Sequence, residues 1–432
     1  MKRSLLVCGL VAAVAMTVAV TPALAVERVT ASEKGSLLIY SKVELRWDAA
    51  GNLIQDTFID LTNDYPGDVC VQMYFINGDA PLPADGAERA HPGWNYVDVG
   101  ICLTANQPTY WAASNGQPAT SATGGGVVPF TILDPGFPPG RPDPVPGSTD
   151  RVMRGYIAAW AVDANSNEIR WNHLKGDAVI VNYMLGTAWE YTTWAFQAVT
   201  GANGDPLPSP GILNLDGTEY EPGFDLLILD FYAVGSSALS GPGNTVTVDT
   251  DLTLFPVDAD LRQEGDGPVT TKANFMIWNM NEFKLSELDQ CITCWDQRLL
   301  SQYGIPNNFL LNNLQTNKGK AQIQGLESQL CDLDFDPGDA CTQNAGGPDV
   351  SCDPRDIESA AASLLGVAAK HLTFQSGDYG RAGMNLIGAG TQSATIYYDL
   401  TGGGNPPPER PEDDDFLMGP VKQRVTTTQV SR

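Results

Sequence analysis

Eight cysteines, three histidines and one run of aspartates are the residues of this 432-residue chain best equipped for chemistry. Seven cysteines lie beyond residue 25: Cys70, Cys102, Cys291, Cys294, Cys331, Cys341 and Cys352. In an oxidising compartment such thiols pair by default. Cys70 and Cys102 stand apart from the rest, each within a strand-like run, and are expected to pair. Among the other five, the spacing favours Cys291 with Cys294 and one pair from Cys331, Cys341 and Cys352, leaving one thiol over. Cys291-Ile-Thr-Cys294 could also be redox-active or half of a zinc site. It lacks the second Cys-x-x-Cys of a zinc ribbon and the βαβ setting of a thioredoxin motif, and Trp295 stands where haem attachment needs His. A structural staple is therefore the preferred reading.

Asp332, Asp334, Asp336 and Asp339 place carboxylates at close intervals in a Gly/Pro-containing loop, an arrangement able to converge on a hard cation such as calcium. The loop departs from the twelve-residue calcium motif, with Pro337 at its glycine position and Gln343 at its bidentate glutamate position. A solvated acidic loop tied down by Cys331 and Cys341 is the competing reading. Asn281-Glu282 follows a strand-like run, and an Asn-Glu pair there resembles the acid of a retaining glycosidase. That chemistry needs a second carboxylate ~5.5 Å away and normally a β/α barrel, so Glu282 alone is a weak catalytic candidate. Only His91, His173 and His371 could serve a nucleophile triad, and no Gly-x-Ser-x-Gly motif, His-Glu-x-x-His motif or phosphate loop accompanies them.

The elements that must position these residues read as strands. Lys2 and Arg3 precede an apolar run from Leu5 to Val20 that ends in Thr21-Pro-Ala-Leu-Ala25, so residues 1–25 are expected to be a secretory signal peptide. Runs rich in Val, Ile, Tyr, Phe and Thr, punctuated by Gly, Asn, Asp and Pro, predict an all-β, antiparallel β-sandwich architecture with two sandwich-like domains. The first spans 26–200, with a Gly/Pro-rich loop at 115–150. A linker covers 201–223. A second β-rich domain spans 224–401 and carries a Cys/Asp-rich insertion at 285–355, and a disordered tail occupies 402–432. Two short helices are expected, one from the capping pattern Ser286/Asp289 ahead of Ile292, Trp295 and Leu299, the other from Asp353-Pro354 before an alanine-rich run.

With 25 Lys+Arg against 51 Asp+Glu, the formal charge is −26, which argues against nucleic acid and against anionic membrane surfaces. The 44 glycines and 30 prolines favour turn-rich β structure over helical bundles. The Leu5–Val20 run is shorter than a spanning helix needs and no later segment reaches that length, so no membrane insertion is expected after signal removal. The runs Lys34-Gly-Ser-Leu-Leu-Ile-Tyr40, Asp56-Thr-Phe-Ile-Asp-Leu-Thr-Asn63, Val71-Gln-Met-Tyr-Phe-Ile-Asn-Gly78, Gly100-Ile-Cys-Leu-Thr-Ala-Asn-Gln107 and Gly155-Tyr-Ile-Ala-Ala-Trp-Ala-Val-Asp163 resemble a group of uncharacterised exported bacterial proteins across residues 34–200. The resemblance implies export and a sandwich-like fold and transfers no catalytic residue. The expected function is a non-catalytic exported protein of the cell surface or periplasm with a structural or adhesive role, meeting a glycan or protein partner. The alternative is a carbohydrate-binding or glycoside-cleaving module, motivated by nine Trp and fourteen Tyr.

Overall fold

The structure is a computed structural model that describes residues 34–78, 96–114, 141–143, 147–208, 211–257, 271–292, 295–328, 358–389 and 394–397. The signal segment, Cys294, Cys331, Cys341, Cys352, the aspartates at 332, 334, 336 and 339, His91 and the tail lie outside these residues, as does most of 115–150. The first half builds one ten-stranded antiparallel sheet from β1 (Leu37–Trp47), β2 (Leu53–Asn63), β3 (Val69–Asn77), β4 (Tyr96–Leu103), β5 (Pro108–Ala112), β6 (Arg141–Pro142), β7 (Arg151–Val162), β8 (Leu174–Asn182), β9 (Thr187–Thr192) and β10 (Trp194–Phe196). Its main order is β4-β3-β7-β1-β2-β8-β9. One buried cluster takes Leu38, Tyr40 and Val43 of β1 and Ile157 of β7 together with Ile59 of β2, Trp111 of β5 and Ile180 of β8. The two wings of the sheet therefore face each other around β1, as in a sandwich.

The second half contributes β11 (Ile212–Leu215), β12 (Leu226–Tyr232), β13 (Val246–Pro256), β14 (Thr271–Asn279), β15 (Leu288–Ile292), β16 (Asp296–Leu299), β17 (Lys318–Ser328), β18 (Glu358–Ala362), β19 (Leu364–Phe374), β20 (Tyr379–Asn385), β21 (Ile387–Ala389) and β22 (Ala394–Tyr397). β15-β14-β17-β12-β21 run side by side in a six-stranded sheet completed by β18, and β16-β13-β19-β20 form a four-stranded sheet. β13 and β19 pack against β1 on one side and β12 on the other. A second buried cluster runs unbroken from Leu37, Tyr74 and Trp160 of the first sheet to Leu229, Leu254, Phe275 and Ile323 of the second half. Strands β1, β3 and β7 are thus buried on both faces, which is why Leu37-Leu-Ile-Tyr40 and Tyr156-Ile-Ala-Ala-Trp-Ala-Val162 are continuous apolar runs. The segment 201–223, expected as a linker, carries β11 and puts Leu207, Leu213, Leu215 and Tyr220 into this shared core.

Both halves are all-β and antiparallel, as expected, and Cys70 lies directly opposite Cys102 in the β3–β4 pairing and is disulfide-bonded to it. Cys291 is disulfide-bonded as well. The helix expected after Ser286 is not formed. Residues 288–292 and 296–299 are edge strands that pair with β14 and β13, because ladder hydrogen bonds to a formed sheet outweigh the weak propensity of one short helical turn. The alanine-rich run after residue 357 likewise enters sheets, as β18 and β19. Small residues suit those strands: a Cβ on Gly325 of β17 would stand 2.2 Å from the Ala362 carbonyl oxygen.

Candidate functional site

A cleft of about 330 Å³ opens where the first sheet meets the four-stranded sheet. Its construction begins with one irregularity in β1. Tyr40 pairs with Ile157 but Val43 pairs with Gly155, so β1 holds one more residue than β7 between these points, a β-bulge at Ser41-Lys42. Side chains alternate with period 2, so a single inserted residue exchanges the two faces of every later position. Before the bulge Leu38 and Tyr40 enter the sandwich interior, and after it Val43 and Leu45 do so. Lys42, Glu44 and Arg46 consequently line the cleft instead of entering an apolar core. The bulge leaves backbone groups without ladder partners, and aromatic side chains take them up. Lys42 N donates to Tyr191 Oη at 3.0 Å, the Tyr191 hydroxyl donates to Lys42 O, and Trp295 Nε1 donates to Ser41 O at 3.1 Å.

Around the bulge lies a network of buried charge. Lys42 Nζ sits 2.6 Å from Asp251 Oδ2 on β13 and 3.2 Å from Glu44 Oε2. Arg46 Nε donates to Glu44 and Arg46 Nη1 to Asp143 Oδ2 at 2.6 Å. Gln297 of β16 ties the halves together, donating to Asp251 Oδ2 at 2.8 Å and Glu44 Oε2 at 3.2 Å while accepting from Arg154 Nη1 at 3.0 Å. Burial alone would raise the Glu44 carboxyl, but Arg46 and Lys42 outweigh it and hold the group well below the usual carboxylate range. Glu44 is therefore a committed anion and not a proton donor.

Two further residues complete the wall. His371 of β19 stands directly across from Arg381 of β20, and its Nε2 is 3.8 Å from Asp251 Oδ2. Burial pushes the His371 imidazole down to about 4; the nearby Asp251 opposes this shift and Arg381 and Lys42 reinforce it. Arg381 donates to its neighbour's backbone, Gly380 O, at 3.0 Å and has no carboxylate within ion-pair distance among the described residues. Close approach of the two halves here requires glycine, since a Cβ on Gly383 would stand 2.0 Å from the Trp189 ring. Lys42, Arg46, Arg154, Arg298 and Arg381 line the cleft against Glu44, Asp150 and Asp251, a surplus of cations within a chain of charge −26.

Positive charge also collects on the outer face of the six-stranded sheet. Trp278 of β14, Lys320 of β17 and Asp230 of β12 share one cross-strand row, and Lys318 and Tyr232 form the next. The Lys284 and Lys320 ammoniums each lie 5.7 Å from the Trp278 ring centre. Lys318 and Lys370 lie 4.5 and 5.3 Å from that of Tyr232. Lys284 pairs with Glu287, whereas Lys318, Lys320 and Lys370 have no carboxylate within ion-pair distance among the described residues. Half-buried Met276, Ile228, Gln322 and Gln324 continue this face toward exposed Ile387. Most other tryptophans, Trp111, Trp160, Trp171, Trp189, Trp194 and Trp295, are core residues.

Glu282 lies in neither place. It occupies the turn after β14, exposed and with φ of 59°. Asn279 N donates to Phe283 O, Glu282 N to Asn279 O, and Asn279 Oδ1 accepts from Asn281 N and Phe283 N. The same bonds recur at Asp48–Asn52 and Asp163–Asn167, where Gly51 and Ser166 hold the positive-φ position. The Asn-Glu pair is thus the sequence of a hairpin turn. His173 accompanies Asp64 and Tyr65 at a loop junction, its Nδ1 3.1 Å from Asp64 Oδ1. Sequence reasoning singled out His371 but missed Lys42, Glu44, Arg46 and Arg381 of the cleft; the shift of apolar phase between Tyr40 and Val43 was the available signal.

No family model and no curated protein matches this chain. Among solved structures it bears a faint likeness to the CupB6 tip adhesin from Pseudomonas aeruginosa, at 11% identity and a TM-score of 0.10, over 83% of this chain and 93% of that one. Among the described residues no helix is long and apolar enough to cross a membrane, and no cluster of three or more His, Cys, Asp or Glu is placed to hold a metal.

Proposed function

We propose that this protein is an exported, non-catalytic binding protein with an adhesive role at the cell surface or in the periplasm, and that it engages acidic glycans. The observation that carries the reading is the outer face of the six-stranded sheet, where Trp278 and Tyr232 are ringed by lysines in a strongly acidic chain. Aromatic faces receive the apolar side of a sugar ring, and ammonium groups beside them meet its carboxylates. Disulfide bonds at Cys70–Cys102 and at Cys291 suit an oxidising compartment and support export. A calcium site at Asp332, Asp334, Asp336 and Asp339 remains a separate proposal, to be tested by melting with chelator against calcium.

Retention on immobilised polygalacturonate, with dextran as the neutral control, tests the reading. Wild type should be retained on polygalacturonate alone, and Trp278→Ala combined with Lys320→Ala should weaken retention at least about tenfold, the loss of one stacking and one ionic contact. Equal retention on dextran, or an unchanged double variant, would overturn it. A glycosidase reading around Glu282 predicts loss of hydrolysis in Glu282→Gln; the turn geometry supports a structural role for that residue instead.

A further inference from the structure

The cleft between the first sheet and the four-stranded sheet has its own unfilled chemistry, distinct from that of the outer face. Its anions are occupied: Glu44 by Arg46, Lys42 and Gln297, and one oxygen of Asp251 by Lys42 and Gln297. Its cations are not all matched. Arg381 reaches the wall with only the Gly380 carbonyl as acceptor, which leaves most of a planar five-donor guanidinium unsatisfied among the described residues. Burial works against its charge and Asp251 and Glu44 favour it only from beyond ion-pair distance, so a half-buried guanidinium in this state gains from a bound anion, and the fork geometry matches a carboxylate. Asp251 lines the same cleft, and its buried Oδ1 accepts no hydrogen bond among the described residues, which leaves this carboxylate with acceptor capacity for a hydroxyl. Ile54, Ile180, Leu185 and the Trp189 ring supply apolar wall. A volume of about 330 Å³ lies at the small end of ligand clefts, the size for one compact molecule.

We infer that this cleft binds a small hydroxylated carboxylate, of the sugar-acid class, with Arg381 holding the carboxylate and Asp251 accepting from a hydroxyl. Lys42 and Gln297 are positioning residues, since they hold Asp251 against the first sheet. Because His371 is the cross-strand neighbour of Arg381 and neutral near pH 7, it contributes no competing charge at that pH.

Titration calorimetry on the full chain with D-glucuronate, D-glucose and benzoate separates the contributions. Glucuronate should bind at least about tenfold more tightly than glucose, which lacks the carboxylate, and than benzoate, which lacks hydroxyls. Arg381→Gln should abolish the preference over glucose, and Arg381→Lys should restore part of it. Leu185→Trp, which fills the cleft from the β8–β9 turn, gives the same test should Arg381→Gln fold poorly, and should block glucuronate. Failure of the glycan reading above is read on polygalacturonate retention and failure of this one on the glucuronate preference of Arg381→Gln, so the two are told apart. Equal binding of glucuronate and glucose, no glucuronate binding at all, or a preference that survives in Arg381→Gln and Leu185→Trp would overturn the inference.

Discussion

The seam cleft and the outer face of the six-stranded sheet both gather cations in a chain of charge −26, yet they use them in opposite ways. In the seam, Lys42 and Arg46 are held by carboxylates from both sides, and Lys42 is only 2% exposed. On the outer face, Lys318 and Lys320, joined at Tyr232 by Lys370 from the adjoining four-stranded sheet, lean on aromatic rings and keep their charge for solvent or a partner. The difference teaches that strand parity and layer, not residue type, decide the job of a lysine. Buried, it must be paired, and its pairing registers one sheet on another. Exposed, it contributes little to stability and much to encounter with an anion.

The sharpest way to break the comparison is to remove one partner on each side. Asp251→Ala leaves Lys42 buried with Glu44 alone and should destabilise the fold by about 3–5 kcal/mol in denaturant unfolding. Replacing both Lys42 and Asp251 with apolar residues of similar volume should cost less than Asp251→Ala, because no unpaired charge remains.

Acid comes next. His371 has a folded-state value of about 4 against an ordinary 6.5, so between these values the unfolded chain binds the proton and the native chain does not. Stability should therefore fall as pH drops from about 6.5 to about 4, by about 1–3 kcal/mol given that the ring is partly exposed. Burial sets this direction; Asp251 and Glu44 oppose it, and Arg381 and Lys42 reinforce it. A His371→Gln variant should flatten that window; unchanged acid sensitivity would remove His371 from the account.

Smaller effects come from the hairpin turn after β14. Asn279→Ala loses two side-chain bonds to turn amides and one to Leu314 O and should cost about 1–2 kcal/mol. Glu282→Gly should stabilise by about 0.5–1 kcal/mol, since φ of 59° strains a side chain there. The smallest effect is expected on the outer face, where Lys320→Ala should change unfolding by less than about 0.5 kcal/mol while weakening polygalacturonate retention.

Much of the fold was legible because its signals are local. β3 and β4 announce themselves by alternating apolar residues around Cys70 and Cys102, and their pairing puts the disulfide in register. β17 gave no such signal although it is central to its sheet, because its inward positions are Gly319, Ala321, Ile323 and Gly325. Gly319 and Gly325 carry no side chain because Phe231, Ala362 and Leu364 already fill the space, a fact that belongs to other segments. The expected helix at 286–299 failed for a related reason: capping residues favour a helix locally, whereas open edges on β13 and β14 were invisible from that stretch alone. The cleft was the least legible feature. Lys42 and Asp251 stand 209 residues apart, and only the bulge brings one to face the other.

One salt titration tests the central contrast most directly, with polygalacturonate retention and thermal melting followed over the same series from about 0.05 to 0.5 M sodium chloride. The Debye length falls from about 14 Å to about 4 Å across this range, so exposed charges are progressively screened, whereas buried pairs are screened far less. Retention should therefore fall steeply while the melting midpoint holds nearly constant. Retention that persists at the highest salt, or a midpoint that falls in step with it, would contradict the contrast between the buried, paired Lys42 and Arg46 of the seam and the solvent-facing lysines of the outer face.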